Sequence, residues 1–478
     1  MRGIEIKTAF LIVPPTGKII REERCQTPIE GLHTVALRPP MDLLYMAAVL
    51  EQNDVKCTLI DYPAQDKDWE DLEEDLKRLR PDLFLISITT PTLDRDLRAG
   101  KLAKTIRRDT LVGVKGAHFW RDNPRILLKY PMLDFAMMGE YEETIGEFVT
   151  KPDWKEVPGL IYRDQGEVHS TGKRELVQNL DDIPYPARHL IKNSVYIRPD
   201  TGELQTTIVT NRGCPEKCVF CLAPRVSGRE NRRRSIPNII GELENCVKQH
   251  GIRNFLFRSD TFTLDPDWVI RLCNGIQRAG LDIKWSCNSR VDTLSGEVLR
   301  AMKDAGCWII SFGIESGSQE VLDLMKKGIT KDQVRAALNL CRVEGILSSV
   351  YFLIGVPWES EETFRETLDF ARQIDPDIVE FFYAYPFEGT EMYVTAANEG
   401  LIERGDFPIS AYSKPAMPTK HLSMERLEGM RSEALKDFYL RWPVISRTIR
   451  RARSPKVFLN YARFGMAQLT DLVTTQRN

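Results

Sequence analysis

The chain has no apolar run approaching the ~18 residues that a membrane-spanning helix needs, so no transmembrane segment is expected. The one early apolar stretch, residues 9–13, is stopped by Pro14 and Pro15 and is too short for the core of a signal peptide. Charge of one sign is also missing. Lys and Arg number 66 against 68 Asp and Glu, a net charge of -2, and this gives no electrostatic case for nucleic acid. Nor is there a disulfide framework. The ten cysteines in 478 residues stand singly apart from one array, which fits a reducing compartment and makes the cytoplasm the expected location. The composition that remains, 42% hydrophobic and 28% charged, is that of an ordinary globular protein. Its length is more than one core can serve and predicts two to four domains.

The exception among the cysteines lies in residues 211–224, NRGCPEKCVFCLAP, where Cys214, Cys218 and Cys221 form a C-x3-C-x2-C array. Three thiolates on one short loop can hold three corners of a 4Fe-4S cube and leave the fourth iron without a protein ligand. Ferredoxin-type sites use four cysteines at other spacings. A structural zinc site is the alternative and would need a fourth ligand. Cys246 and His250, on a helix predicted over 238–250, are the nearest candidates.

Ahead of the array, strand-like and helix-like stretches alternate. Residues 8–13 (TAFLIV), 56–61, 83–88 (LFLISI), 111–115 and 135–138 read as strands, with helices over 40–52, 69–79, 97–107 and from the GEYEET stretch onward. This predicts a doubly wound parallel sheet with ligands at the strand carboxyl ends. Residues 157–190 then supply a hairpin turning at 164–166 and a proline-punctuated connector that cannot be a regular helix. A second series follows, with strands at 207–210, 252–257, 283–288, 307–314, 347–354 and 378–384 and helices between them. Barrels of this kind place their chemistry on the loops after the strands.

The array, FGIESGSQEVLDLMKKGIT at 312–330 and YFLIGVPWESEET at 351–363 together resemble the radical S-adenosylmethionine (SAM) family, whose partial (β/α)6 barrel the second series would form. The resemblance implies that the open iron chelates the amino and carboxylate groups of SAM. One electron, from a reductant such as flavodoxin or ferredoxin, then cleaves a C–S bond to release a 5'-deoxyadenosyl radical. Glu315 would accept hydrogen bonds from the ribose hydroxyls, unless it is a surface or salt-bridged acid. Ser286, Asn288 and Arg290 alternate on one sheet face and could line the SAM site. Backbone groups around Ile354 and Gly355 would meet adenine. Asp260 stands where relatives carry paired acids, with Ser259 replacing the first, and is a candidate for the SAM amino group or a contact near the substrate. The basic run at 229–234 could neutralise a substrate or SAM carboxylate, or be a solvated loop.

In the N-terminal half, PPTG at 14–17, RPPMDLLYMAAVLEQ at 38–52, LID at 59–61, KGAH at 115–118 and MGEYEET at 138–144 resemble the cobalamin-binding domain that precedes the radical domain in one large class of these enzymes. The D-x-H-x-x-G motif that gives cobalt an imidazole in many cobalamin proteins is absent. His33 and His118 sit in other contexts, so cobalamin would bind without a protein imidazole, or the domain has lost it.

The expected architecture is α/β: a cobalamin-binding-like doubly wound sheet over 1–150, a linker with a hairpin over 151–200, a radical SAM partial barrel over 201–392 and a helical C-terminal region over 393–478. In that last region helices are predicted at 423–438 and 455–472. Between them Trp442, Val444, Ile445 and Ile449 mix with arginines at 441, 447, 450, 451 and 453. Such a stretch could lie on an anionic membrane surface, giving peripheral membrane association, or pack on its own protein with arginines outward. The first functional reading is cobalamin-dependent C-methylation of a small-molecule or lipid-like substrate. The second is an oxidative or ring-forming reaction like that of the anaerobic porphyrin cyclases, and the third a non-catalytic metal-stabilised binding protein. A methylthiotransferase is disfavoured, because neither a second cysteine triad nor a basic RNA-binding appendage is present.

Overall fold

The computed structural model describes residues 5–22, 25–28, 37–198, 200–403 and 414–451. Two compact units are formed, one by the described residues up to Gln26 with Leu37–Tyr196 and Ala223–Gly228, the other by Thr27 and Pro28, Ile197–Leu222 and the described residues from Arg229 on. The first unit contains β1 (Thr8–Val13), the ribbon of β2 (Ile19–Glu22) and the start of β3 (Cys25–Pro28), then β4 (Lys56–Asp61), β5 (Leu83–Ser87), β6 (Leu111–Lys115), β7 (Phe135–Met137), β8 (Leu160–Asp164) and β9 (Glu167–Ser170). Its main sheet runs β4-β1-β5-β6-β7-β8-β9. The first five of these strands are parallel. They follow the doubly wound 2-1-3-4-5 order, whose direction reverses between β1 and β5. β5 and β6 are buried along their whole length, which is why their sequences read as unbroken apolar runs. The hairpin expected in the connecting stretch is β8–β9, and it extends this sheet by antiparallel pairing of β8 with β7.

The second unit contains β10 (Gln205–Val209), the short antiparallel pair β11 (Asn211–Arg212) and β12 (Arg232–Arg233), β13 (Asn254–Arg258), β14 (Lys284–Ser289), β15 (Cys307–Glu315), β16 (Leu347–Ile354) and β17 (Ile378–Tyr383). Six strands pair in parallel in sequence order, β10-β13-β14-β15-β16-β17, the arrangement of the predicted partial barrel. Along each strand one set of side chains, such as Phe257, Trp285, Phe312, Phe352 and Phe381, joins the core under the helices. The period of two turns Ser286, Asn288, Ser311, Ser349, Tyr351 and Glu380 to the opposite face. The helices between strands start where capping chemistry dictates. Thr330 with Gln333 and Ser360 with Thr363 form reciprocal capping boxes.

The edge strand β17 is covered by the helix Met424–Tyr439, for which Ser423 is the cap. The Tyr439 hydroxyl accepts from Val379 N–H at 3.0 Å and donates to Val379 C=O at 2.8 Å, and Arg431 Nε donates to Phe381 C=O at 2.9 Å. Backbone groups that could template another strand are thereby satisfied. Residues 442–451 do not merely separate two helices as expected; they form the helix Trp442–Arg451. Pro443 falls in its first turn, where no amide is needed, so it starts the helix instead of breaking it. The helix predicted at 455–472 lies outside the described residues, as does His33. No helix of the described residues is long and apolar enough to cross a membrane.

Candidate active site

The cysteine loop leaves the carboxyl end of β10, and the β11–β12 pair closes its neck. Gly213, at φ +94°, makes the turn into the loop. Its N–H donates to Asp260 Oδ2 at 2.7 Å and its C=O accepts from Asn231 at 3.1 Å. Farther along, Arg229 donates to the carbonyls of Pro215 and Glu216 at 3.3 and 3.0 Å, and Val219 is held at both ends by Met325 and Met392. This braced loop carries the three thiols. Cys214 is buried with its Sγ 3.7 Å from Thr261 Oγ1, while Cys218 and Cys221 are half-buried. Burial raises the Cys218 thiol, Lys327 pulls it back, and Glu315 adds to the rise.

The zinc alternative fails on placement. Cys246 is fully buried in the apolar core with Ile239 and Leu243, and it and His250 lie in the last turns of the helix Ile236–His250, which runs away from the loop toward β13. Among the described residues no three His, Cys, Asp or Glu side chains converge as around a single ion. A cube takes its cysteine sulfurs at separate irons, and a donor set of three thiols on one loop fits it.

β15 ends beside this loop in an irregular turn of the strand. The register with β16 shifts between Gly313 and Glu315, and Glu315 sits at φ +76°. A bulge re-aims the side chain that follows it, and a non-glycine residue held at positive φ is a strain that the surroundings must enforce. Here the carboxylate folds back over Gly313, where an added Cβ would stand only 2.3 Å from Glu315 Oε1 and 3.2 Å from Lys327 Nζ. Lys327 Nζ donates to Glu315 Oε1 at 2.8 Å, with both side chains 9% exposed. Burial alone would push the Lys327 ammonium down, but Glu315 and Cys218 hold it above its ordinary value. Glu315 is therefore a buried, salt-bridged acid and not a surface one. No pattern in the sequence marks Lys327, which lies just past a helical turn twelve positions downstream.

Several of the candidate ligands also brace the fold. Ser286 and Asn288 share the inner face of β14, but Arg290 lies past its end. Arg290 makes a two-pronged bond to Asp292 at 2.9 and 2.8 Å, donates to Lys327 C=O at 3.1 Å and stands 3.5 Å from Glu216 of the cysteine loop. It staples the cysteine loop to the Lys327 segment. Asp260 spends Oδ2 on Gly213. Ser259 is buried, and its Oγ and Asn211 Nδ2 have no hydrogen-bond partner among the described residues, leaving open polar groups at this end of the barrel. Of the backbone groups near Ile354, Gly355 N–H is committed to Glu359 Oε2 at 2.5 Å, and Ile354 C=O accepts from Ala384 at 2.7 Å. The basic run is not a solvated loop: Arg232 and Arg234 are buried, Arg234 pairs with Glu242, and Arg233 pairs with Asp265.

Glu359 has its own consequence. Burial pushes its carboxyl up to about 8, with the Gly355 amide pulling the other way. An acid raised in the folded state stabilises most below its unfolded value and loses that contribution as pH climbs toward the folded one. Stability should thus decline between about pH 4.5 and pH 8 on its account. Glu359→Gln keeps an acceptor for Gly355 and carries no charge, so it should match the parent at pH 5 and exceed it at pH 8 by on the order of 1–3 kcal/mol. Thermal melts at the two pH values check this; parallel pH profiles for the two proteins would contradict it.

In the first unit the loops after β1 and β5, at the switch point, surround a buried ion pair. Arg21 Nη1 and Nη2 donate to Asp96 at 2.8 and 3.0 Å, and Thr16 and Thr92 add hydroxyl bonds to the same carboxylate. Among the described residues, Arg21 Nε and Gln26 Nε2 are buried donors with no partner, and such donors at a switch point fit a ligand rich in acceptors, as cobalamin is. His118 follows β6 at the same sheet end, its ring edge-on to Phe119 at 5.5 Å. Burial, with Arg121 and Lys129 nearby, brings it down to about 4.

Comparison with known proteins bears on both units. A model of the radical SAM superfamily matches residues 208–371 and a model of the B12 binding domain matches residues 34–149. An uncharacterized methyltransferase of Pyrococcus horikoshii is 32% identical over 451 residues, covering 93% of this chain and 95% of that one. The anaerobic magnesium-protoporphyrin IX monomethyl ester cyclase of Rubrivivax gelatinosus is 26% identical over 390 residues, 79% of this chain and 70% of that one. In fold, the chain is similar to the cobalamin-dependent SAM radical enzyme OxsB with aqua-cobalamin bound. The TM-score is 0.74 at 17% identity, over 98% of this chain and 72% of the other.

Proposed function

The chain belongs to the radical SAM enzymes that carry a B12-binding domain, and from that premise we propose that it is a cobalamin-dependent methyltransferase acting on a small or lipid-like molecule. The observation that carries the reading is the end-to-end likeness to the Pyrococcus methyltransferase, stronger in identity and coverage than the likeness to the cyclase. When bound, a 4Fe-4S cluster supplies one electron to SAM, and cobalamin supplies a methyl carrier.

The rest falls to this chain's side chains. Cys214, Cys218 and Cys221 anchor the cluster, and Asp260, Asn231 and Arg229 hold their loop in one shape. Lys327 keeps a buried positive charge beside Cys218 and Glu315, where it can attract the carboxylate of SAM. Glu315, fixed on one oxygen, offers the other to a ribose hydroxyl. Ser286 and Asn288 present polar groups from the same sheet face. Arg21 and Gln26 direct donors toward acceptors of cobalamin, and His118 lines that cleft without binding cobalt. Radical SAM enzymes need a reductant, and flavodoxin or ferredoxin is the kind proposed here, in a cytoplasmic setting with peripheral membrane contact through the basic C-terminal helix.

The likeness to the cyclase supports a second reading, oxidation or ring formation, which uses no methyl group. Anaerobic turnover with methyl-deuterated SAM and extract of the source cell separates the two. Methylation places the label in a new product; an unlabelled product overturns it.

A further inference from the structure

Residues 438–470 contain seven basic residues, Arg441, Arg447, Arg450, Arg451, Arg453, Lys456 and Arg463, and no Asp or Glu, in a chain whose net charge is -2. The helix Trp442–Arg451 lies within this stretch, and its two faces differ. One is fastened to the barrel. Val444 is buried, Arg441 and Arg447 both reach Asp375, at 3.0 and 2.6 Å, and Arg447 also donates to Pro376 C=O at 2.9 Å.

The other face is open. Trp442 and Ile449, seven positions apart and so on one side of the helix, are 74% and 55% exposed, and Leu440 just ahead is 56% exposed. Arg450 adjoins them and is exposed. Single exposed apolar side chains need no explanation, but three within ten residues, set among arginines with no acid in the stretch, make an amphipathic basic surface. A nucleic acid would use the charge and leave the apolar groups unexplained. A second copy would bring like charge against like charge.

We propose that this face docks on an anionic lipid bilayer, with Trp442 and Ile449 entering the boundary between headgroups and acyl chains and Arg450 meeting lipid phosphates. The assignment rests on the peripheral contact proposed above and not on methyl transfer, and its test involves no turnover. The full-length holoenzyme should co-sediment anaerobically with vesicles of equimolar phosphatidylglycerol and phosphatidylcholine, release in high salt, and ignore pure phosphatidylcholine. Arg450→Glu and Trp442→Ala should each lower the vesicle partition coefficient roughly tenfold with melting temperature unchanged. If the protein ignores anionic vesicles, as it would were residues 452–478 to cover the face, both the contact and the face are refuted. Binding that the two variants leave intact would retain the contact and overturn this face as its site. Equal binding to neutral vesicles, or capture by RNA without vesicles, would overturn the anionic bilayer as the partner.

Discussion

Cys218→Ala is expected to lose most of the iron from anaerobically reconstituted protein and all reductive cleavage of SAM. The loop offers three thiols, and the next cysteine along the sequence, Cys246, faces an apolar core from a helix that leads away. Each anchor therefore holds its own corner, and removal of one has no substitute within reach. Cys246→Ala deletes a small buried group far from the loop and should retain the full iron content. Iron and sulfide analysis with the visible absorption of the cluster checks both. A full cluster in Cys218→Ala, or its loss in Cys246→Ala, would show that the ligands have been misassigned.

Lys327→Met should have the next largest effect, and on two separable quantities. The ion pair with Glu315 is 9% exposed on each side, and breaking a buried pair by removing one partner costs about 3–5 kcal/mol, because the other charge is left uncompensated. Methionine keeps the length of the chain but not the charge. Stability should therefore fall by that amount in the single variant and largely recover in Lys327→Met/Glu315→Gln, where no lone charge remains. SAM affinity should not recover. Loss of charge-assisted bonds at about 1.5–3 kcal/mol corresponds to a roughly ten- to hundredfold weaker Kd, and the double variant has lost both partners. Denaturation curves and SAM titration of the cluster-loaded proteins measure the two effects. A double variant that binds SAM like the parent would reduce the pair to a structural role.

The repetitive parts of the molecule were the legible ones. Strands β4, β6 and β16 and the helix Trp69–Leu79 fall on the residues expected of them, because strands show as short apolar runs or as alternation, as in β4, and an amphipathic helix shows its period. The cysteine triad was legible because its spacing is itself the chemistry. For Glu315 a salt bridge was one of the readings the sequence left open, but its partner Lys327 was not legible. The geometry of Glu315 comes from a bulge, a positive φ and the missing side chain of Gly313, none of which leaves a periodic mark. The bracing bonds of Arg290 and of the basic run at 229–234 were not legible for a related reason. Arginines that look available in sequence become braces once the fold brings Asp292, Glu216, Asp265 and Glu242 to them. The stretch read as a separator between two helices is itself a helix, which Pro443 opens because of where in the turn it falls.

The central claim is that SAM serves this enzyme in two chemical roles, as methyl donor and as radical source. Counting the products of SAM during anaerobic turnover tests it most directly. A methyltransferase of this kind forms 5'-deoxyadenosine and S-adenosylhomocysteine in equal amounts, one of each for every methyl group gained by the product. Deoxyadenosine that accumulates with substrate consumption while no adenosylhomocysteine forms would contradict the account and leave the oxidative reaction in its place.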